Sequence, residues 1–291
     1  MLSPDEIRDL SLHANSVRQN IIRMLTEAGS GHSGGPLGMA DIFTALYFKV
    51  MNVDPSDPGK EDRDRLILSN GHICPVLYAT MAERGYFPVE ELMTLRKFGS
   101  RLQGHPHRTV LPGLETTSGP LGSGLSQAAG MALAFKMDGK KQRVFCLTSD
   151  GEHDEGNIWE AVLFAGRYKL NNLTVFMDRN RIQIDGSTED VMPLDPVKEK
   201  YLAFNWHVIE IDGHDFKQII EAVKRAENTE DRPTMIIART TPGKGVSFME
   251  HKFEWHGVPP DLQDMAGAPA KGEQAKVAIE ELEKIRESLV S

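Results

Sequence analysis

Two short stretches carry side chains whose type and spacing could do chemistry. In the first, Ser149–Gly186, an apolar run ends in Ser149-Asp150-Gly151, and a second ends in Asp178-Arg179-Asn180 thirty residues after Asp150. In an open parallel sheet, ligands sit outside the carboxyl ends of the strands. One strand–helix–strand unit therefore brings the Asp150 carboxylate and the Asn180 amide oxygen to neighbouring strand ends. A few hard oxygens on two adjacent loops suit Mg²⁺ or Ca²⁺, with a diphosphate and water completing the octahedron. Gly151 lets its backbone N–H approach a phosphate, and a helix starting just after it adds positive potential. The second kind of stretch is the glycine-rich loop holding a histidine. His32, His72 and His105 each occupy one, and such loops let side chains and backbone approach a ligand closely.

These loops need elements to position them. Ile7, Leu10, Ala14, Val17, Ile21, Ile22 and Leu25 recur at helical spacing over residues 5–28, with Pro4 at a first-turn position. Gly29–Pro36 then interrupts the pattern with four glycines in eight residues, and a second apolar helix is predicted over about 38–49. Arg65–Ser69, Val144–Ser149, Leu173–Asp178, Trp206–Ile211 and Thr234–Arg239 are near-continuously apolar, as strands buried on both faces are. Helical periods between them, such as Glu155–Leu170 and Asp215–Glu227, imply an α/β fold: a doubly wound, mainly parallel sheet flanked by helices. Val258–Gly272 is rich in Pro, Gly and Ala, and Ala275–Leu289 reads as one amphipathic helix. The expected division is a domain over 1–257 and a linker plus C-terminal helix over 258–291. Trp159, Leu163 and Phe164 are expected in the core, and Glu152, His153 and Asp154 in a solvated loop. His13, His207, His214 and His251 carry no argument.

Composition narrows the function classes. The chain has 291 residues, 40% of them apolar and 26% charged, which excludes a disordered or fibrous chain. A net charge of −9 argues against a nucleic-acid coat. No apolar run approaches the ~18–20 residues of a membrane span. Cys74 and Cys146 stand 72 positions apart with no CxxC, so reduced thiols and a cytoplasmic location are expected. There is no GxxxxGK[ST] or HExxH, and Gly122-Ser-Gly124 lacks the third glycine of a dinucleotide loop. His105-x-His107 has no further clustered ligand that would make it a zinc site.

The Asp-Gly…Asn spacing resembles the thiamine diphosphate fingerprint, and EG-x-x-WEA, YKL-x-NL and DRNRIQIDG resemble transketolase in particular. GHSGGPLGMAD (31–41), LSNGHICPVLYA (68–79), LQGHP (102–106), LPGLETTSGPLGSGLSQAAGMALA (111–134) and TPGKGVSF…WHG (241–257) extend the likeness over most of the chain. One departure is Ser149, where the family has glycine before Asp-Gly. The resemblance implies the thiamine diphosphate-binding fold of the diphosphate (PP-type) domain. It implies that Asp150, Asn180 and the Ile182 carbonyl hold the metal, and that Gly151, His72 and His256 contact the diphosphate. The Gly119-Pro120-Leu121 backbone would line the aminopyrimidine and thiazolium, and His32, His72, His105 and His256 would surround the reacting carbons. Glu155 would sit in a dimer-interface network linking two cofactor sites.

The family passes a two-carbon ketol unit from a ketose phosphate such as xylulose 5-phosphate to an aldose phosphate such as ribose 5-phosphate or erythrose 4-phosphate. That chemistry moves protons near neutral pH, where imidazole is suited. The family's polypeptide is about twice this length, and its second domain supplies the glutamate that activates the cofactor. The expectation is therefore a split enzyme: this chain with a separate C-terminal subunit, as α2β2, inactive alone. Alternatives are a split transketolase for a branched or sulfonated ketose phosphate, an α-type subunit of a 2-oxo acid dehydrogenase, and a catalytically dead scaffolding homologue.

Overall fold

In the computed structural model, which describes residues 2–291, helix α1 (Pro4–Ala28) starts where the sequence places its signals. Ser3 accepts from the Glu6 N–H while the Glu6 carboxylate accepts from the Ser3 N–H at 2.8 Å, a reciprocal cap. The helix buries Leu10, Ala14, Val17, Ile21, Ile22 and Leu25, and Gly29 ends it in the left-handed region at φ 60°. Helix α2 (Gly34–Ala45) begins four residues before the predicted start and ends in a π turn over Leu46–Val50. Gly34 and Gly35, two of the four glycines that read as a chain break, are instead helical. A Cβ on Gly35 would come 2.8 Å from Ile73 Cγ2, and one on Gly34 would come 3.4 Å from the Trp255 carbonyl oxygen. They are small because the helix lies flush against its neighbours.

The five apolar runs form β1 (Arg65–Leu68), β2 (Val144–Ser149), β3 (Leu173–Arg179), β6 (His207–Asp212) and β7 (Thr234–Arg239). Between them β4 (Ile182–Gln183) and β5 (Gly186–Ser187) make a two-residue hairpin. The large sheet has order β1-β2-β3-β7-β6 with every pair parallel, so the doubly wound expectation holds. Alternate residues along β1, β2, β3 and β7 enter two separate cores, which explains their unbroken apolar runs, while edge strand β6 fully buries only Ile209 and Ile211. Phe145, Leu147, Phe176 and Ile236 face α1, α2, α3 (Cys74–Arg84) and α8 (Phe216–Glu227). Cys146, Val175, Met177 and Met235 face α4 (Ser123–Met137) and α5 (Gly156–Arg167). Helices α6 (Thr188–Val191) and α7 (Val197–Ala203) complete the segment between β5 and β6.

One expectation about packing changes. Leu163 is 58% exposed on the outer side of α5, while Trp159 and Phe164 are half-buried at the edge of its core, so the helical spacing assigned one residue too many to the interior. The C-terminal helix α9 (Gln274–Val290) lies along α1 and puts Ala278 and Leu282 into the same core. Asn15 Nδ2 donates to the Leu282 carbonyl at 3.0 Å, and Arg286 donates to Ser16 Oγ at 3.0 Å. His214, which the sequence left without a role, joins a buried ion network. Arg18 of α1 grips Asp41 of α2 with both terminal nitrogens, at 3.1 and 2.5 Å. His214 Nδ1–H donates to Asp41 at 2.7 Å while its Nε2 accepts from the Thr241 N–H at 2.8 Å. Burial pushes the Asp41 carboxyl up, but Arg18 and His214 outweigh it and hold the group below its usual range.

Candidate active site

Register fixes the first half of the site. Ser149 stands beside Asp178, so Asp150 emerges next to Asp178-Arg179-Asn180 at the carboxyl ends of two central strands. The Asp150 carboxylate is buried and accepts from the Gly151 N–H at 2.8 Å, the Arg181 N–H at 2.7 Å and Arg179 at 3.3 Å. Arg179 in turn pairs with Glu189 at 2.6 Å and Asp195 at 3.1 Å. Asn180 Oδ1 accepts from the Ile182 N–H at 3.0 Å, and its Nδ2 donates to Asp178 at 2.8 Å. Asp178 also accepts from Thr240 Oγ1. Burial pushes Asp150 up to about 6 despite its donors. Burial and the neighbouring Asp150 push Asp178 up to about 7.

The second half comes from loops. His32 between α1 and α2, His72 in the turn after β1, and His256 after β7 converge with ring centroids 4.9, 5.5 and 5.4 Å apart. Burial brings His32 down to about 4, helped by His256, and lowers His72 and His256 as well. The three rings are therefore neutral imidazoles at neutral pH, able to accept or donate a proton. Together with His105 at the exposed rim, they line a cleft of about 350 Å³. Its other walls are Gly119, Leu121, Ser149, Gly151, Glu152, Asn180, Ile182, Gln183, Ile184 and Asp185.

Most of the expected residues thus meet in one place. Pro120, Asp150 and Glu155 do not line it: Pro120 and Glu155 are exposed, and Asp150 is buried next to the lining residue Gly151. The solvated-loop reading of Glu152 and His153 is wrong, because Gly151–Asp154 turns inward as a short 3₁₀ segment before α5 starts at Gly156. Glu152 is fully buried and lines the cleft; only Asp154 is exposed. His153 Nδ1–H donates to the Ser149 carbonyl at 2.7 Å, and Nε2 accepts from Tyr201 O–H at 2.7 Å. Ser149, Gln183, Ile184 and Asp185 also line the cleft, which only the hairpin geometry reveals.

The donor set fits a hard cation and a polar ligand. A carboxylate offers about four acceptor sites, and Asp150 uses three; an amide oxygen offers two, and Asn180 uses one. Among the described residues no three His, Cys, Asp or Glu side chains are placed to hold a metal, so a cation here leans on amide and backbone oxygens. His32 Nδ1, His256 Nδ1, Ser118 Oγ and both amide atoms of Asn70 are buried without a partner among the described residues. They leave donors and acceptors open to a ligand rich in oxygen and nitrogen.

Residues 10–271 match the thiamine diphosphate binding domain of transketolase. The chain belongs to the transketolase family. It is 43% identical over 276 residues to a 6-deoxy-6-sulfo-D-fructose transketolase subunit, SqwG, of Clostridium sp. (strain MSTE9), covering 95% of this chain and 97% of that one. It is 42% identical to an apulose-4-phosphate transketolase subunit of Phocaeicola vulgatus, covering 87% and 90%. The solved transketolase from Leishmania mexicana superposes with a TM-score of 0.82 at 32% identity, covering all of this chain and 46% of that one. This transketolase-family chain therefore spans about half the length of that solved relative. Among its described residues, no helix is long and apolar enough to cross a membrane.

Proposed function

We propose that this chain is the diphosphate-binding subunit of a two-chain transketolase, completed by a separate C-terminal subunit in an α2β2 assembly in the cytoplasm. The observation that carries the proposal is the meeting of three neutral imidazoles with Gly151 and Asn180 in one cleft at the sheet's carboxyl edge, with Asp150 buried next to Gly151. Asp150, Asn180 and the Ile182 carbonyl would hold Mg²⁺ or Ca²⁺. Gly151, His72 and His256 would take the diphosphate, with Gly119 and Leu121 along the rings. When bound, thiamine diphosphate supplies a carbon nucleophile that takes up and passes on a two-carbon unit. This chain's residues bind and orient; His32, His72, His105 and His256 hold or accept protons at the hydroxyls of a sugar phosphate. The activating glutamate would come from the partner subunit, so the chain alone is inactive.

The test mixes this chain with a candidate C-terminal subunit, Mg²⁺ and thiamine diphosphate. Release of glyceraldehyde 3-phosphate from xylulose 5-phosphate is followed with ribose 5-phosphate as acceptor. Activity in the mixture only, abolished by Asp150→Ala, is the expected result; turnover by the single chain would refute the split. A second reading, a donor other than xylulose 5-phosphate, is supported by the two subunit-length relatives named for sulfonated and branched sugars. Sulfofructose and apulose 4-phosphate belong in the same donor panel.

A further inference from the structure

We propose that Glu152 is the positioning residue of this cleft, a single buried carboxylate that pins together the three loops carrying His72, Leu121 and Asp150. The inference rests on the cofactor reading above and deepens it. Glu152 Oε1 accepts from Ser69 Oγ at 2.5 Å and from the Gly122 N–H at 2.6 Å, while Oε2 accepts from the Ser149 N–H at 3.1 Å. Ser69 opens the loop after β1 that leads to His72, and Gly122 closes the Gly119-Pro120-Leu121 loop. Ser149 is the last residue of β2, before Asp150 and Gly151. Three segments far apart in sequence therefore meet on one side chain.

The backbones there are too close to shift independently. A Cβ on Gly124 would come 2.5 Å from Ser69 Cα, and one on Gly71 would come 2.4 Å from Ser118 Oγ and 3.2 Å from the Gly119 nitrogen. Gly122, at φ 82°, is the N-cap of α4 and has no side chain with which to cap it. The Glu152 carboxylate takes the Gly122 N–H, the bond that a glutamate three residues into the helix makes in a capping box, and lies where the helix dipole favours negative charge. A carboxylate is a costly way to fill space in a core. What an apolar residue of equal volume could not do is accept from two backbone N–H groups on different loops.

Glu152→Gln tests this with almost no change of shape. Whichever way the amide is turned, its NH₂ faces either the Gly122 or the Ser149 N–H, and one backbone donor loses its acceptor. Hydrogen exchange on the purified chain should then speed up at least tenfold in peptides covering 69–73, 118–124 and 149–153 together, with the α1–α9 pair unchanged. Calorimetry with thiamine diphosphate and Mg²⁺ should show affinity down at least tenfold. Ser69→Ala removes only the hydroxyl donor, so it should loosen 69–73 alone and change affinity less than threefold. Unchanged exchange in both 118–124 and 149–153, or affinity within threefold of wild type, overturns the proposal. If Glu152→Gln does not fold, Ser69→Ala decides, and an unchanged 69–73 loop counts against the pin. A wild-type chain that takes up no thiamine diphosphate, alone or with its partner, overturns the cofactor reading instead, and the exchange pattern still judges the pin.

Discussion

Asp178→Asn should make the cation-free protein more stable at neutral pH and leave it unchanged in acid. Asp178 accepts from Asn180 Nδ2 at 2.8 Å and from Thr240 Oγ1. An amide in its place keeps both bonds, its oxygen accepting from Asn180 and its NH₂ donating to the Thr240 hydroxyl. What it removes is a buried charge beside Asp150. Burial and Asp150 raise the carboxyl from its ordinary 3.8 to about 7, so the folded state holds this proton more tightly than the unfolded chain. The stability that the proton confers is complete below about 4 and is lost as pH rises toward 7. About three pH units at 1.36 kcal/mol each give a penalty of about 4 kcal/mol at pH 7.5. Urea unfolding in a chelator, with a slope of about 3 kcal/mol/M, should place the variant's midpoint about 1 M above wild type at pH 7.5, with the two curves converging near pH 4. Parallel stability–pH profiles from pH 4 to 8 would refute the reasoning, because they would mean that Asp178 is not ionising inside the fold.

Three further outcomes follow from groups already described. Asp41→Asn strands the Arg18 guanidinium in the core and should cost about 3–5 kcal/mol in urea unfolding, much of it recovered by pairing Asp41→Leu with Arg18→Met; a loss under about 1 kcal/mol would contradict the network. His32, held at about 4 by burial, should show no imidazole titration by ¹⁵N NMR between pH 8 and 5.5, and its share of stability should fall as pH drops below 6.5. A midpoint near the ordinary histidine value would mean that the cleft is wetter than described. Tyr201→Phe takes the donor from buried His153 Nε2 and should cost about 1–3 kcal/mol by thermal or urea unfolding.

How much of this could be read beforehand divides along physical lines. The inner strands were legible because a sheet covered on both faces leaves an unbroken apolar run, and edge strand β6 because Val208, Ile209 and Ile211 are branched. Asp150 and Asn180 were legible because parallel strands put the residues that follow them on one edge. The convergence of His32, His72 and His256 was legible only through the family likeness, since nothing local says that loops after α1, β1 and β7 meet. Glu152 was hidden in Asp-Gly-Glu-His-Asp-Glu, a run whose composition is that of a solvated turn. The signal that could have found it is position alone, three residues past the end of a buried strand. The start of α2 was hidden by its glycines, which close packing and chain breaks demand equally. The role of His214 needs Asp41, 173 residues away, to be visible.

The pairing of α9 with α1 sets an order on biosynthesis. Helix α1, made long before α9, has Asn15 and Ser16 waiting for partners on Leu282 and Arg286, 267 and 270 positions later. Until then the apolar surface that Ala278 and Leu282 will cover stays open on the nascent chain. Contacts of such sequence separation close slowly, because the loop entropy is spent before they reward it. A chain halted near residue 272 would thus carry the whole sheet and cleft yet present an adhesive stripe along α1, a target for chaperones and for other unfinished copies.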